Sequence, residues 1–377
     1  MSLSEFADQV NQKPLKRHKK DEFLKQKVQR KKFKAERKLK KLEKQIVKKK
    51  SQTQDMIVIS EEDDEAETNG RDYTISIALP GSILDNAQSP ELRSYLAGQI
   101  ARACAIYQVD EVVVFNEADS DKKESVEGEF KGVGKKGDGC VQLARILQYL
   151  ECPQYLRKFF FPKHPDLQYA GLLNPLDSPH HMRIDEDVPF REGVVLDRPT
   201  KEGKGSFVNC GAVKNVQIDK KLQSNVRVTV QMLENKEESP KYFRGKAVSP
   251  TTPRLKHGLY WGYSVRLAPN LSSVFTQCSI ADKYDIMIGT SERGESIDDF
   301  ILPSFKHLLI VFGGVKGLEE SLSADEDLDE VDDPSCLFHH YLNTCPNQGS
   351  RTIRTEEAIL ITLSALRPKV MQSIAIK

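Results

Sequence analysis

The feature that most constrains this chain lies near its C-terminus. Residues 355–366 form a helical stretch that is apolar around almost its whole circumference (Ile359, Leu360, Ile361, Leu363, Leu366). A helix of that kind must be buried on most sides, so it has to be tucked into a domain rather than laid over one. Thr355 is placed to cap it, and Glu356 and Glu357 suit the positive end of its dipole. Three short apolar runs precede it, and each passes directly into a loop of small and polar residues: 284–288 into 289–294, 307–312 into 313–319, and 338–342 into 343–352. In open parallel sheets, ligands bind where strands end and loops begin. Glycine there lets backbone N–H and C=O groups approach a ligand without an intervening Cβ. One such loop reads as an ordinary turn; three in succession ahead of a buried helix predict one pocket.

The first half of the folded chain supplies the rest of such a sheet. Folding is expected to begin near Tyr73, where YTISIALPG reads as a buried strand closed by a Pro-Gly turn. Ser89-Pro90-Glu91 opens a helix, and the apolar residues Leu92, Tyr95, Leu96, Ile100, Ala103, Cys104 and Tyr107 follow its period. EVVVF (111–115) suits a central parallel strand. After the loop KGVGKKGDG (131–139), a second helix carries Val141, Ala144, Leu147 and Leu150 on one face. Strands alternating with helices imply a parallel sheet covered on both sides. Between about 188 and 266 that rhythm breaks. EGVVLDR, SFVNCG, KNVQI, RVTVQM, FRGKAV and YSVRL are short β-like segments, expected to form a small antiparallel barrel inserted into the α/β domain.

Charge separates the ends of the chain. The net charge of +1 hides an arm, residues 1–50, with nineteen Lys and Arg against six Asp and Glu. Its few apolar residues at helical spacing (Leu39, Leu42, Ile46) are too few to bury a face, so it reads as a disordered or helical solvated tail suited to polyanions. A localisation signal is an equal alternative. The acidic run 61–67 reads as a linker, and the acidic stretch 325–333 as a solvated loop with no assigned role. The expected divisions are 1–72 for arm and linker, 73–187 and 267–377 for the two halves of the α/β domain, and 188–266 for the insertion. No apolar run approaches the roughly 20 residues of a membrane span, so no membrane association is expected. The seven cysteines form no CxxC pair and are odd in number, which predicts a reducing compartment, nucleus or cytoplasm, and no metal site. No GxxxxGK[ST] or GxGxxG pattern is present, so a phosphate-poor cofactor is favoured.

At the cofactor loops the sequence resembles a known family. IRTEEA (353–358) is similar to the segment of SPOUT methyltransferases in which the chain threads through its own loop to make a trefoil knot. FGGVKGLE (312–319) and NTCPNQGS (343–350) resemble the other two cofactor loops of that knot. LPGSILDNAQSPEL (79–92) and NPLDSPHHMR (174–183) resemble the eukaryotic and archaeal SPOUT subfamily whose knotted domain carries an OB-like insertion. The resemblance spans 73–377 and leaves the basic arm outside. Knots are otherwise almost absent from proteins, and residue patterns alone do not propose one.

The resemblance implies a homodimer that binds S-adenosylmethionine within the knot and methylates RNA, with N3-methyluridine in large-subunit rRNA as the expected product. Carried onto this chain, the cofactor candidates are Arg293, Gly313, Gly314, Asn343, Thr344, Ser350, Ile353 and Arg354. The glycines would admit the ligand, Ile353 would press on the adenine, and Asn343 and Thr344 would hydrogen-bond its polar ends. Arg293 and Arg354 would face either the methionine carboxylate or an RNA phosphate. Uridine N3 is a weakly acidic imide whose proton must leave, and Asp177, His180, His181 and Arg183 are the substrate-side candidates: His as base, Arg as oxyanion partner. A structural turn at this Pro-rich segment is the equal alternative. In the insertion, Phe207, Arg227, Tyr242, Phe243, Arg244, Lys246 and Trp261 offer the basic and aromatic groups of an RNA groove. The competing reading is a non-catalytic RNA-binding scaffold with spindle, centrosome or kinetochore partners. Nucleolar residence would suit the rRNA reading.

Overall fold

A computed structural model describes residues 29–41, 70–117, 139–201, 203–234, 241–280 and 282–375. The acidic linker 61–67 and most of the loop 131–139 lie outside them, as does most of the arm; residues 29–41 of the arm form a helix, α1. Next come β1 (Thr74–Pro80), α2 (Pro90–Ile106), β2 (Glu111–Phe115), α3 (Gly139–Glu151) and α4 (Gln154–Phe160). Five strands follow: β3 (Phe190–Val195), β4 (Phe207–Asn209), β5 (Val216–Gln217), β6 (Arg227–Met232) and β7 (Phe243–Val248). The chain continues through α5 (Thr252–His257), β8 (Ser264–Ala268), α6 (Leu271–Thr276), β9 (Ile286–Ser296), β10 (His307–Val311), α7 (Leu318–Ser323), β11 (His340–Asn343) and α8 (Thr355–Ala375).

Six strands make one sheet in the order β11-β9-β10-β1-β2-β8, and every pair is parallel. All residues of β1 and β2 are buried, as expected of central strands covered on both faces. One face packs against α2, α3 and α8, whose Ile359, Leu363, Leu366 and Val370 join the core there. The other packs against α6, α7 and the 328–338 segment. The apolar helix buries Ile359, Leu363 and Leu366 as its composition demands, but not every side: Leu360 stays 46% exposed. Its chain arrives from β11, beyond β9, and returns to the exit of β10, the return path expected of a knotted domain of this type. β3–β7 close a separate barrel with its own core of Val195, Val208, Val216, Ile218 and Val230.

Four expectations need correction. YSVRL does not belong to the barrel: Ser264–Ala268 pairs with Glu111–Phe115 as the edge strand of the parallel sheet. Five residues of alternating character look alike in a barrel and on a sheet edge; only Arg266, bonded to the buried Glu111 at 3.1 Å, distinguishes this one. The supposed loop 289–294 is a wide bulge inside β9, because the register jumps from Tyr341↔Gly289 to Leu342↔Glu295. The acidic stretch keeps most of its charges in solvent, as expected, but is also anchored. Asp325 is buried and accepts the Ser272 N–H at 2.7 Å, and Leu328 is wholly buried. Finally, α1 does bury a face, through Ala35 and Leu39.

Candidate functional site

The bulge of β9 (290–293) and the exits of β10 and β11 converge on the start of α8 and enclose a cleft of about 310 Å³. After β10 the chain makes a tight turn in which the Gly317 N–H donates to the Gly314 carbonyl at 3.1 Å. Gly317 has φ +78°, left-handed backbone that favours glycine. The Gly313 carbonyl accepts the Thr355 hydroxyl at 3.0 Å, tying the turn to α8. Thr355 is therefore the first helical residue rather than the cap. The cap is completed by the Glu357 carboxylate, which accepts the Arg354 N–H at 2.9 Å.

Six of the eight cofactor candidates stand on the wall of this cleft: Arg293, Gly313, Gly314, Asn343, Thr344 and Ile353. Two do not. Ser350 turns its hydroxyl to the Thr352 carbonyl at 2.9 Å, and Arg354 is exposed at the head of α8. The polar side chains also have a different task from the one expected. Asn343 Nδ2 donates to the Glu292 carbonyl at 3.0 Å while its Oδ1 accepts the Cys345 N–H at 3.1 Å. Thr344 shares a 2.8 Å hydroxyl contact with the buried Thr362. Both side chains knit the loops together, which leaves polar recognition to backbone groups and the charged side chains of the lining. Arg293, largely exposed, pairs with Glu319 at 3.1 Å.

These walls suit a nucleoside-sized ligand without phosphates. Ile353, Ala358 and Ile361 give apolar surface for a ring, backbone edges border it, and Arg293, Lys316, Glu292 and Glu319 bring both signs of charge. Sequence reasoning missed Glu117. Its carboxylate accepts the Ser82 and Ser321 hydroxyls, each at 2.5 Å, and a Cβ on Gly314 would come within 2.9 Å of it. It clamps the exits of β1 and β2 to α7 behind the cleft. A lone glutamate after a strand carries no pattern to reveal that. Thr362 did leave a signal, a hydroxyl inside an otherwise apolar helix.

The substrate-side candidates gather elsewhere. Asp177, His181 and Arg183 are not on the cleft wall; His181 and the Arg183 backbone lie at the junction between sheet domain and barrel, and Asp177 follows Leu176 of the sheet-domain core. His180 and His181 both donate through Nε2 to the Glu151 carbonyl, at 2.9 and 2.6 Å. Burial, and then the neighbouring His180, lower the His181 pKa to about 4. Asp177 (φ +51°) and Arg183 are exposed. Around the histidines lies a buried ionic network. Arg227 grips Glu151 with two nitrogens at 2.7 and 2.9 Å and Glu192 at 2.7 Å, and Trp261 donates to Glu192 at 2.6 Å. Arg227 therefore fastens the barrel to α3 and Trp261 fastens the segment before β8 to the barrel, so neither is free for a nucleic-acid groove. Phe207 is likewise buried, under Arg198 and against Tyr242. Arg244 stays exposed on β7, beside half-buried Lys246.

Comparison with known proteins adds an independent line. Residues 74–366 match the model of a protein family described as "Putative RNA methyltransferase". The chain is similar to the 28S rRNA (uridine-N(3))-methyltransferase of Homo sapiens, 65% identical over 309 residues that cover 82% of each chain. It is 66% identical to the Mus musculus protein of the same name over 303 residues, 80% of this chain and 78% of that one. The Drosophila melanogaster counterpart is 52% identical over 310 residues, 80% of this chain and 63% of that one.

Proposed function

Because this chain belongs to the RNA methyltransferase family whose model its residues 74–366 match, we propose that it methylates uridine N3 of large-subunit rRNA with S-adenosylmethionine held in the β9–β10–β11 cleft. The observation that carries the cofactor assignment is the convergence of the β9 bulge, two strand exits and the α8 start on one nucleoside-sized cavity. The substrate assignment rests on relatives named 28S rRNA (uridine-N(3))-methyltransferase. The scaffold alternative, with spindle or kinetochore partners, finds no support among those names.

S-adenosylmethionine, when bound, supplies an electrophilic methyl group. The chain's own residues hold and orient. Ile353 and Ile361 give the ring its apolar contacts, and the turn between Gly313 and Gly317 presents backbone edges. Arg293 and Glu319, already paired at the mouth, offer charges to the methionine amine and carboxylate. Orientation of two reactants is the larger part of such a displacement.

The chain is also proposed to work as a homodimer. On α2 the exposed Leu92, Tyr95 and Ile106 fall on one stripe, and Leu360 and Met371 extend it on neighbouring α8. A groove of about 300 Å³ runs between them, floored by Gly98 and Ala103. Apolar stripes on two adjacent helices are what a self-complementary interface requires.

Two measurements test the assignment together. Titration with S-adenosylhomocysteine should give saturable heat from the full-length protein. Nucleosides from rRNA of cells lacking the protein should be depleted in N3-methyluridine, and an unchanged level would remove the substrate assignment.

A further inference from the structure

Helix α1 lies on the folded domain rather than beside it. Ala35 and Leu39 are buried in the cluster that includes Leu328, Leu337 and Phe338. Lys31 reaches Asp332 at 3.1 Å and Lys34 reaches Glu330 at 3.4 Å. Exposed ion pairs of this kind contribute little, so the two apolar residues set the seat and the acidic segment orients it. That seat is the segment between α7, whose Glu319 lines the cleft, and β11, which delivers Asn343 to the same cleft.

A helix held by one face must present the other. At 100° per residue, positions 31, 35 and 39 face the domain, and Arg30, Phe33, Arg37 and Lys41 fall on the opposite side. All four are exposed, and Phe33 keeps 69% of its surface in water. A basic stripe with an aromatic ring among its charges has the chemistry that holds single-stranded nucleic acid, cations on phosphates and a π-face for a base. Burying a large aromatic residue would ordinarily be favourable; here the docking leaves it outside.

We propose that α1 is a docked RNA-binding platform, in which Arg30, Arg37 and Lys41 take backbone phosphates and Phe33 stacks on a base of the strand that feeds the cleft. This rests on RNA being the substrate class, and it adds where the strand runs. The arm is a positioned element, not a free polycation.

The test uses the full-length protein and a fluorescently labelled, uridine-rich single-stranded RNA, titrated at several salt concentrations. Arg30→Ala/Arg37→Ala/Lys41→Ala should weaken binding, and its log Kd against log salt slope should fall by about 2, at roughly 0.7 per lost phosphate contact. Phe33→Ala should weaken binding with the slope unchanged. A second variant, Ala35→Asp/Leu39→Asp, keeps the stripe and breaks the seat. It should raise KM for RNA while kcat and S-adenosylhomocysteine affinity stay at wild-type values. Wild-type affinity and slope in the triple variant would overturn the platform. A wild-type KM in the unseated variant would also overturn it, by showing the arm to act untethered. Neither result would touch the methyltransferase reading, which fails separately if the unaltered protein binds no S-adenosylhomocysteine.

Discussion

A Cβ added at Gly313 would stand 2.6 Å from the Gly317 carbonyl carbon and the Leu318 nitrogen, both backbone atoms of its own turn. Gly313→Val is therefore expected to break the turn itself, not merely to obstruct a ring. It should cost about 1–3 kcal/mol of stability, as overpacking against a fixed neighbour does, and lose S-adenosylhomocysteine affinity at the same time. Ile353 offers the cleaner separation. Its side chain is half-buried on the cleft wall and lies before α8 begins, so Ile353→Ala should leave the melting temperature within a few degrees of wild type. Losing its apolar contact with the ring should weaken S-adenosylhomocysteine by roughly tenfold, about 1.4 kcal/mol. Calorimetric titration beside thermal melting checks both. An Ile353→Ala variant with undiminished affinity would take this residue out of the cofactor site. Asn343 and Thr344 show why residue chemistry alone misassigns roles here. Both types can bind a polar ligand, and both are instead occupied in joining one loop to the next.

Among the elements, those with long apolar patterns were legible from sequence: β1, β2, α2, α8 and the barrel. Their periods follow directly from burial, which composition records. The site was half legible, because glycines and small polar residues at strand exits mark a pocket without saying which side chains face it. The edge strand β8 was not legible, since Ser264–Ala268 shows the same alternation that a barrel strand would. Nor was the sheet–barrel junction. Glu151, His180, Glu192, Arg227 and Trp261 are far apart in sequence, and only the fold brings their charges together. That junction carries a pH prediction. The folded pKa of His181 is depressed to about 4, chiefly by burial and secondarily by His180, while an unfolded histidine titrates near 6.5. The unfolded chain then binds more protons between those values. Stability from this group is complete above about pH 6.5 and is lost as pH falls toward 4. Its size is on the order of 2 kcal/mol after allowance for partial exposure. Melting temperature should therefore fall from pH 7 to pH 5 in the wild type, and His181→Gln should flatten that slope. An unaltered slope would mean that another group controls it.

For the molecule as a whole, α8 links two properties. In its first two turns Thr355, Ala358 and Ile361 face the cleft, while Glu356, Glu357 and Leu360 border the groove beside α2. One helix thus has the proposed cofactor cleft on one side and the proposed partner subunit on the other. Without a partner, the stripe of Leu92, Tyr95, Ile106, Leu360 and Met371 stays in water; a two-fold contact would bury it twice over. Leu360→Glu introduces a charge at the centre of that face in both copies. At about 2 kcal/mol per copy the dimer should weaken roughly a thousandfold, enough to give a monomer in light scattering at concentrations where the wild type is dimeric. Because the same turns support the cleft, the monomer should also bind S-adenosylhomocysteine several-fold more weakly, although residue 360 never faces the ligand. Leu233→Glu serves as the control: it places the same charge on an exposed leucine that follows β6 of the barrel and should change neither property. A Leu360→Glu protein that remained dimeric would put the interface elsewhere, whereas one that became monomeric with full cofactor affinity would keep the interface but show that the cleft is complete within one subunit.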